Sequence, residues 1–206
     1  MQTKFNNALQ YCRTMQFTNR CNGQPQVLPN YNVLLHGASM VQLLYLLCAE
    51  YEEEYDRYMF DPIEMNVMTK TLLFHDGIEQ FTGDILAPAK WKAPTVCDMI
   101  EQRVYEDLEA TDSLYTLSNI VYTDAIIEEG LTQEELYVFK FLDMAEYALR
   151  LLEECACGNV SPKVQEGLRN ARRVCKERYN IDDENVKNFL NPLYRYIMEN
   201  TFAGED

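Results

Sequence analysis

The sequence has few cationic residues for its length. Among 206 residues, 18 Lys and Arg stand against 33 Asp and Glu, which gives a formal net charge of −15. Such a chain repels nucleic-acid backbones and anionic membrane surfaces, so broad binding to nucleic acid or to a membrane is excluded. Any phosphate group that it handles must be held locally, by a metal ion or by one or two placed cations.

Signal sequences, long apolar runs and Cys-x-x-Cys pairs are also missing. Residues 1–7 lack the apolar core of a signal peptide, and the apolar stretch Gly37–Ala49 is shorter than a bilayer-spanning helix. The seven cysteines are an odd number, which indicates free thiols in a reducing compartment. We therefore expect a cytoplasmic protein.

Helical periodicity runs through nearly the whole chain, and no stretch shows the alternation of a half-buried strand. The length suits one domain, so we predict a single all-α domain over residues 1–206. Helix start and stop signals place the elements. The predicted helices are Lys4–Thr14, Gly37–Tyr51, one capped by Asp61, Thr95–Leu117, one from the Thr132 capping box to Gly158, one starting at Ser161-Pro162, and Val186–Thr201; residues 18–32 form a long loop.

Two histidines and two aspartates stand out against this helical background. His36 opens an apolar helix, while His75 closes the next one and is followed by Asp76. Asp143 lies inside a strongly apolar helix, where an unpaired carboxylate is costly. Imidazole and carboxylate ligands together suit Mn, Co, Fe, Zn or Ni. Taken singly, a histidine in an apolar context is usually a hydrogen-bonded core residue, and an aspartate in a helix usually faces solvent.

The surroundings of the His75-Asp76 pair favour the metal site. Within residues 72–90, the His-Asp pair is followed by Glu three positions after the Asp, then by Thr-Gly-Asp and by Pro-x-Lys. This resembles the HD-domain metal-dependent phosphohydrolase superfamily, with most similarity to bacterial 5′-deoxyribonucleotidases and related phage dNTP triphosphohydrolases. His36 matches the first histidine of that family, and Asp143, followed by a Leu-rich run and Gly158-Asn159, matches the last ligand. The likeness covers about residues 5–180, and a C-terminal helix follows at about 183–201.

The resemblance implies roles for eight residues in an HD-type helical bundle with a metal site at its centre. The metal, one divalent transition ion (Co, Mn, Zn or Fe) or Mg, would be held by His36, His75, Asp76 and Asp143. Glu79 would orient or deprotonate the attacking water, and Asp84 would protonate the leaving oxygen. Arg20 would bind the substrate phosphate, with Lys90 as a weaker candidate.

The chain departs from the family pattern at two places. The family usually has Glu-His-Ser at the first ligand, whereas this chain has Leu35-His36-Gly37. That Glu usually orients the histidine, so here the orienting hydrogen bond must come from elsewhere. The second departure is Cys21, where the deoxynucleotidases usually carry the Trp that crowds the sugar 2′ position. The chain therefore lacks that basis for a preference for deoxyribose.

Three hypotheses follow for the function. The first is hydrolysis of deoxynucleoside 5′-monophosphates to nucleoside and phosphate, and the sparse cations near the motifs favour it over a dNTP triphosphohydrolase. The second hypothesis is that triphosphohydrolase, and the third is a non-catalytic HD-fold module that binds a nucleotide or a partner helix. Resemblance to the family also implies a homo-oligomer, most simply a dimer, whose small-molecule partner is the nucleotide.

Overall fold

The computed structural model describes residues 13, 15–20, 27–28, 31–82, 92–110 and 124–201. A short 3₁₀ turn at Met15–Phe17 precedes the helices. Within the described residues the helices are α1 (Val33–Tyr55), α2 (Pro62–Phe74), α3 (Glu79–Thr82), α4 (Pro94–Ala110), α5 (Asp124–Gly130), α6 (Gln133–Ala156), α7 (Pro162–Tyr179) and α8 (Glu184–Asn200). Those residues form no sheet, and the only strand-like pairing among them is one bridge between Asn19 and Asn32. The predicted all-α class is confirmed.

The predicted helix caps form as the sequence indicates. Both capping boxes close reciprocally, Asp61 with Glu64 before α2 and Thr132 with Glu135 before α6. The α6 helix stops before Gly158, whose φ of 90° lies in the left-handed region that glycine accepts without strain. These local signals decide where the long helices begin and end, and so fix the register of the site residues that they carry.

The first apolar helix is longer than predicted. It was expected over Gly37–Tyr51, but α1 starts at Val33 because the Asn32 side chain accepts the Leu35 N–H, and it continues to Tyr55. By length and composition this 23-residue helix could cross a membrane, as core helices of folded domains also can, and one third of its most apolar window is buried. Here α1 packs against α2, α6 and α8.

The core lies where α1, α2, α6 and α8 meet. Its fully buried side chains come from all four helices and include Met40, Leu44, Met68, Leu72, Phe141, Leu142, Phe189 and Leu190. The α7 helix packs along α6. Burial of these apolar groups is the main favourable term in folding, and it holds α1, the end of α2 and the middle of α6 side by side. The three places that carry the predicted metal ligands are thereby brought together.

Of the predicted N-terminal helix Lys4–Thr14, only Arg13 belongs to the described residues, and it is helical. The loop predicted over residues 18–32 has its two ends joined by backbone hydrogen bonds, from the Arg20 N–H to the Tyr31 carbonyl (3.0 Å) and from the Val33 N–H to the Thr18 carbonyl (3.0 Å). Arg20 is therefore held beside the start of α1.

Candidate metal centre

The four predicted metal ligands lie together at the centre of the bundle. Nε2 of His36 is 3.3 Å from Oδ1 of Asp143 and 3.7 Å from Oδ2 of Asp76. Nε2 of His75 is 3.1 Å from the same Asp76 oxygen and 4.0 Å from Oδ1 of Asp143. Ligand atoms of His36, His75 and Asp76 all lie within 4.8 Å of one another. The chain thus places two imidazole nitrogens opposite two carboxylates.

Close approach of two backbones brings the histidines together. Gly37 lies where a Cβ atom would be 2.7 Å from the carbonyl oxygen of Leu73 and 2.9 Å from that of Leu72, so no larger residue fits without movement. The first turn of α1 can therefore rest directly on the last turn of α2. As a result the rings of His36 and His75 are 5.1 Å apart between centroids. This explains why glycine follows the first histidine.

Hydrogen bonds at Nδ1 aim both Nε2 atoms into the site. Nδ1 of His75 lies 3.0 Å from the carbonyl oxygen of Leu72, an acceptor only, so this nitrogen carries the proton. Nδ1 of His36 lies 2.5 Å from Oε2 of Glu146 and donates to it in the same way. Both Nε2 atoms then present lone pairs; each is buried, without a hydrogen-bond partner among the described residues.

This donor set fits a divalent metal ion. Two nitrogen lone pairs facing two carboxylates repel one another unless a cation lies between them. Imidazole nitrogen with carboxylate oxygen is a ligand set used for Zn, Mn, Fe, Co and Ni. The buried Nε2 atoms of His36 and His75, with the carboxylates that face them, therefore fit a divalent metal ion.

The protonation states of the site also suit metal binding. Burial lowers the pKa of His75 to about 3, helped by the neighbouring His36 and by Arg20 and only partly opposed by Asp143, so the ring is neutral at neutral pH. Burial alone raises the pKa of Asp143, but the close approach of His36 and His75 and the charge of Arg20 outweigh it and leave that pKa well below its ordinary range. Neutral imidazole and ionised carboxylate are the forms that ligate.

Two arginines border the centre. Arg20, predicted from its loop to bind phosphate, forms an ion pair with Asp76 and has only 17% of its side chain exposed. Arg178 on α7 was not predicted; its Nη1 donates to the carbonyl oxygen of Lys140 and lies 3.6 Å from Oδ2 of Asp143. Arg178 lies 35 positions after Asp143 in an amphipathic helix, and no motif in the surrounding sequence indicates that it belongs to the site.

Glu79 is buried close to the ligands. It is 4% exposed, it begins α3, and its N–H donates to the Asp76 carbonyl oxygen at 2.9 Å. The turn over residues 75–78 therefore fixes the spacing between Asp76 and Glu79. Asp84 and Lys90 lie outside the described residues, so their predicted roles stay predictions.

Glu146 and Tyr31 are site residues that sequence reasoning missed. The Tyr31 hydroxyl donates to Oε2 of Glu146 at 2.5 Å, the same oxygen that lies beside Nδ1 of His36. Glu146 is 6% exposed and Tyr31 is 2% exposed. A signal for Glu146 was present, because a glutamate three residues after Asp143 lies on the same face of an apolar helix.

Comparison with known families decides the class of the protein. The model of the family described as 5′-deoxynucleotidase YfbR-like matches residues 7–196, nearly the whole chain. The chain belongs to the 5′-deoxynucleotidase YfbR-like family. It is a metal-dependent phosphohydrolase acting on deoxynucleotides, and the predicted HD-type enzyme is confirmed.

A solved structure supports the fold. The cyanophage S-2L HD phosphohydrolase (DatZ), determined bound to dA and one catalytic Zn²⁺ ion, is 19% identical to this chain. The match covers 92% of this chain and 96% of that chain, with a TM-score of 0.60. At this identity the likeness shows a shared HD fold. No curated protein sequence matches the chain.

Proposed function

We propose that the protein hydrolyses deoxynucleoside 5′-monophosphates to nucleoside and phosphate. One observation carries the proposal: the buried Nε2 atoms of His36 and His75 face the carboxylates of Asp76 and Asp143. These four residues would hold one divalent transition metal, for which Co²⁺, Mn²⁺, Fe²⁺ and Zn²⁺ are the candidates. Such an ion, when bound, lowers the pKa of water and polarises a phosphoryl group.

The chain's own residues supply the remaining roles. Glu79, buried beside the ligands, is the proposed proton acceptor for the attacking water. Arg20 forms an ion pair with Asp76 and so lies at the site. Its planar guanidinium can donate two parallel hydrogen bonds to two oxygens of a phosphate group. Asp84 remains the proposed proton donor to the leaving oxygen, and Lys90 a further phosphate ligand.

Hydrolysis of a dNTP to nucleoside and triphosphate is the second candidate. A triphosphate carries more charge than a monophosphate and needs more cations around it. Arg178, 3.6 Å from Asp143, is such a cation at the edge of the metal centre. The solved relative bound to dA and Zn²⁺ supports a pocket for a deoxynucleoside beside the metal.

Product analysis separates the two candidates. The purified protein is incubated with Mn²⁺ or Co²⁺ and with panels of dNMPs and dNTPs, beside Asp76→Asn and the matched surface control Asp107→Asn, whose carboxylate is 63% exposed. Orthophosphate from dNMPs, lost in Asp76→Asn and kept in Asp107→Asn, supports the nucleotidase. Intact triphosphate from dNTPs supports the second candidate. Metal-loaded protein that releases neither product contradicts both, and favours the non-catalytic binding module.

A homodimer in a reducing, cytoplasmic compartment completes the proposal. Leu35, Tyr45 and Leu46 expose 42%, 54% and 64% of their surface along α1, an apolar stripe that a second copy could cover. Antiparallel contact would keep apart the two acidic helix ends at residues 50–54. Five free cysteines in the described residues support the reducing compartment. Light scattering of the wild type and of Leu46→Glu tests the dimer, which the charge should dissociate.

A further inference from the structure

We propose that Glu146, held by Tyr31, is the positioning residue that fixes His36 as a metal ligand. The inference rests on the metal site proposed above and adds to it the group that sets the tautomer and direction of its most buried ligand. His36 is fully buried, so its ring cannot reach water for a hydrogen bond. Whatever orients the ring must therefore be a protein group.

Two donors converge on one carboxylate oxygen. Oε2 of Glu146 lies 2.5 Å from Nδ1 of His36 and 2.5 Å from the hydroxyl of Tyr31. The hydroxyl itself is 3.1 Å from Nδ1. A carboxylate oxygen that accepts both hydrogens leaves the imidazole proton on Nδ1 and the lone pair on Nε2. A histidine that donates to a carboxylate is also a more basic, better oriented metal ligand.

Tyr31 is itself held from the far side. The guanidinium of Arg150 lies over its ring at 5.1 Å from the centroid, and Nη2 of Arg150 donates to the Leu28 carbonyl at 3.0 Å. Arg150 and Glu146 are one turn apart on α6 and reach the same tyrosine from one helix. The chain of contacts thus runs from the metal ligand His36 through Glu146 and Tyr31 to the loop before α1.

Helix geometry explains why the carboxylate comes from α6. Position 35, just before the histidine, holds leucine, so α1 supplies no carboxylate beside its own ligand. Glu146 follows Asp143 by three residues and therefore shares its face of α6. One helix thus supplies both a ligand carboxylate and the carboxylate that orients the histidine opposite.

Metal affinity and ring tautomer test the proposal together. Co²⁺ binding to metal-free wild type, Glu146→Gln, Tyr31→Phe and the control Glu134→Gln is measured by calorimetry; Glu134 is an exposed residue in the first turn of the same helix. We expect Glu146→Gln to lose about 10- to 100-fold in affinity, Tyr31→Phe to lose less, and Glu134→Gln to match wild type. Nitrogen-15 spectra of the metal-free proteins should show His36 protonated at Nδ1 in wild type and a mixture of tautomers in Glu146→Gln.

Each result has one meaning. If folded Glu146→Gln binds Co²⁺ as tightly as wild type and keeps a single tautomer, the positioning role is wrong while the metal site stands. Should Glu146→Gln fail to fold, Tyr31→Phe decides: unchanged affinity and tautomer overturn the proposal. Wild type that binds no Co²⁺ overturns the proposed function itself.

Discussion

Gly37 lies so close to Leu73 that a Cβ atom on the glycine would be 2.7 Å from the leucine carbonyl oxygen. The contact is between backbones, so neither a rotamer change nor a flexible side chain can relieve it. The contact is also close to both histidines of the candidate metal centre, because His36 directly precedes Gly37 and His75 comes two residues after Leu73. Packing of α1 on α2 therefore also brings the two histidines of the site together.

Gly37→Ala should destabilise the protein and weaken metal binding. We expect a loss of about 1–3 kcal/mol in the free energy of unfolding by urea, since the added methyl group must push the two backbones apart. Separation of the histidines should weaken Co²⁺ binding as well. The matched control is Gly130→Ala at the end of α5, where nothing lies within 4 Å of the new methyl group. Equal stability of Gly37→Ala and wild type would contradict the close contact.

Glu154 should anchor the loop that precedes α1. Its carboxylate accepts the N–H groups of Val27 (2.8 Å) and Leu28 (2.9 Å) and the side-chain amide of Asn159 (2.7 Å). Glu154→Gln turns one acceptor into a donor, so we expect a loss of about 2 kcal/mol in unfolding free energy and faster hydrogen exchange at Val27 and Leu28. Unchanged exchange at both amides would show that the anchor is unimportant; Glu153→Gln serves as control.

The same carboxylate should make stability depend on pH. Burial alone raises the pKa of Glu154, but the hydrogen bonds from Asn159, Val27 and Leu28 outweigh it and lower that pKa below its ordinary value of 4.5. The folded state therefore binds this proton less readily than the unfolded state, and the stabilisation, present above pH 4.5, is lost as the pH falls below it. Urea unfolding across this range should show a shallower loss in Glu154→Gln than in wild type.

Buried Cys175 should resist alkylation in the folded protein. Burial raises the pKa of its thiol to about 12, so almost no thiolate forms near neutral pH. Cys157, after the end of α6, is exposed. Iodoacetamide at about pH 8 should label Cys157 at least about 100-fold faster than Cys175, and mass spectrometry of peptides measures both. The difference should vanish in urea, and similar rates in the native protein would contradict the burial.

Local signals explain how much of the fold could be predicted. Asp61, Thr132 and Ser161 cap helices as expected because their side chains satisfy backbone N–H groups only a few residues away. The helix α1 begins at Val33, four residues before the predicted start at Gly37. The prediction followed the apolar stretch, whereas the cap, Asn32, lies at the end of the preceding polar loop. A loop that contains several Asn and Gly residues offers several possible N-cap residues, so the sequence alone does not fix where the following helix begins.

The four side chains proposed as metal ligands could be predicted to lie together, whereas the groups around them could not. His36, His75, Asp76 and Asp143 could be named because a family pattern spaces them and the core brings them together. Glu146 shares a face of α6 with Asp143, but it reaches His36 only once α6 has packed on α1. Arg178 approaches Asp143 only once α7 has packed on α6, and no local motif indicates this. Tyr31 was one of fourteen tyrosines, and only the fold distinguishes it.

Metal titration of the four ligand variants tests the central claim most directly. Co²⁺ is added to metal-free wild type and to His36→Ala, His75→Ala, Asp76→Asn and Asp143→Asn, with Asp107→Asn as control, and binding is followed by calorimetry and by the visible spectrum of bound cobalt. We expect one ion per chain in wild type and in the control, with binding weakened at least about 100-fold in each ligand variant. Single-site binding that survives in all four variants would contradict a metal centre at this position.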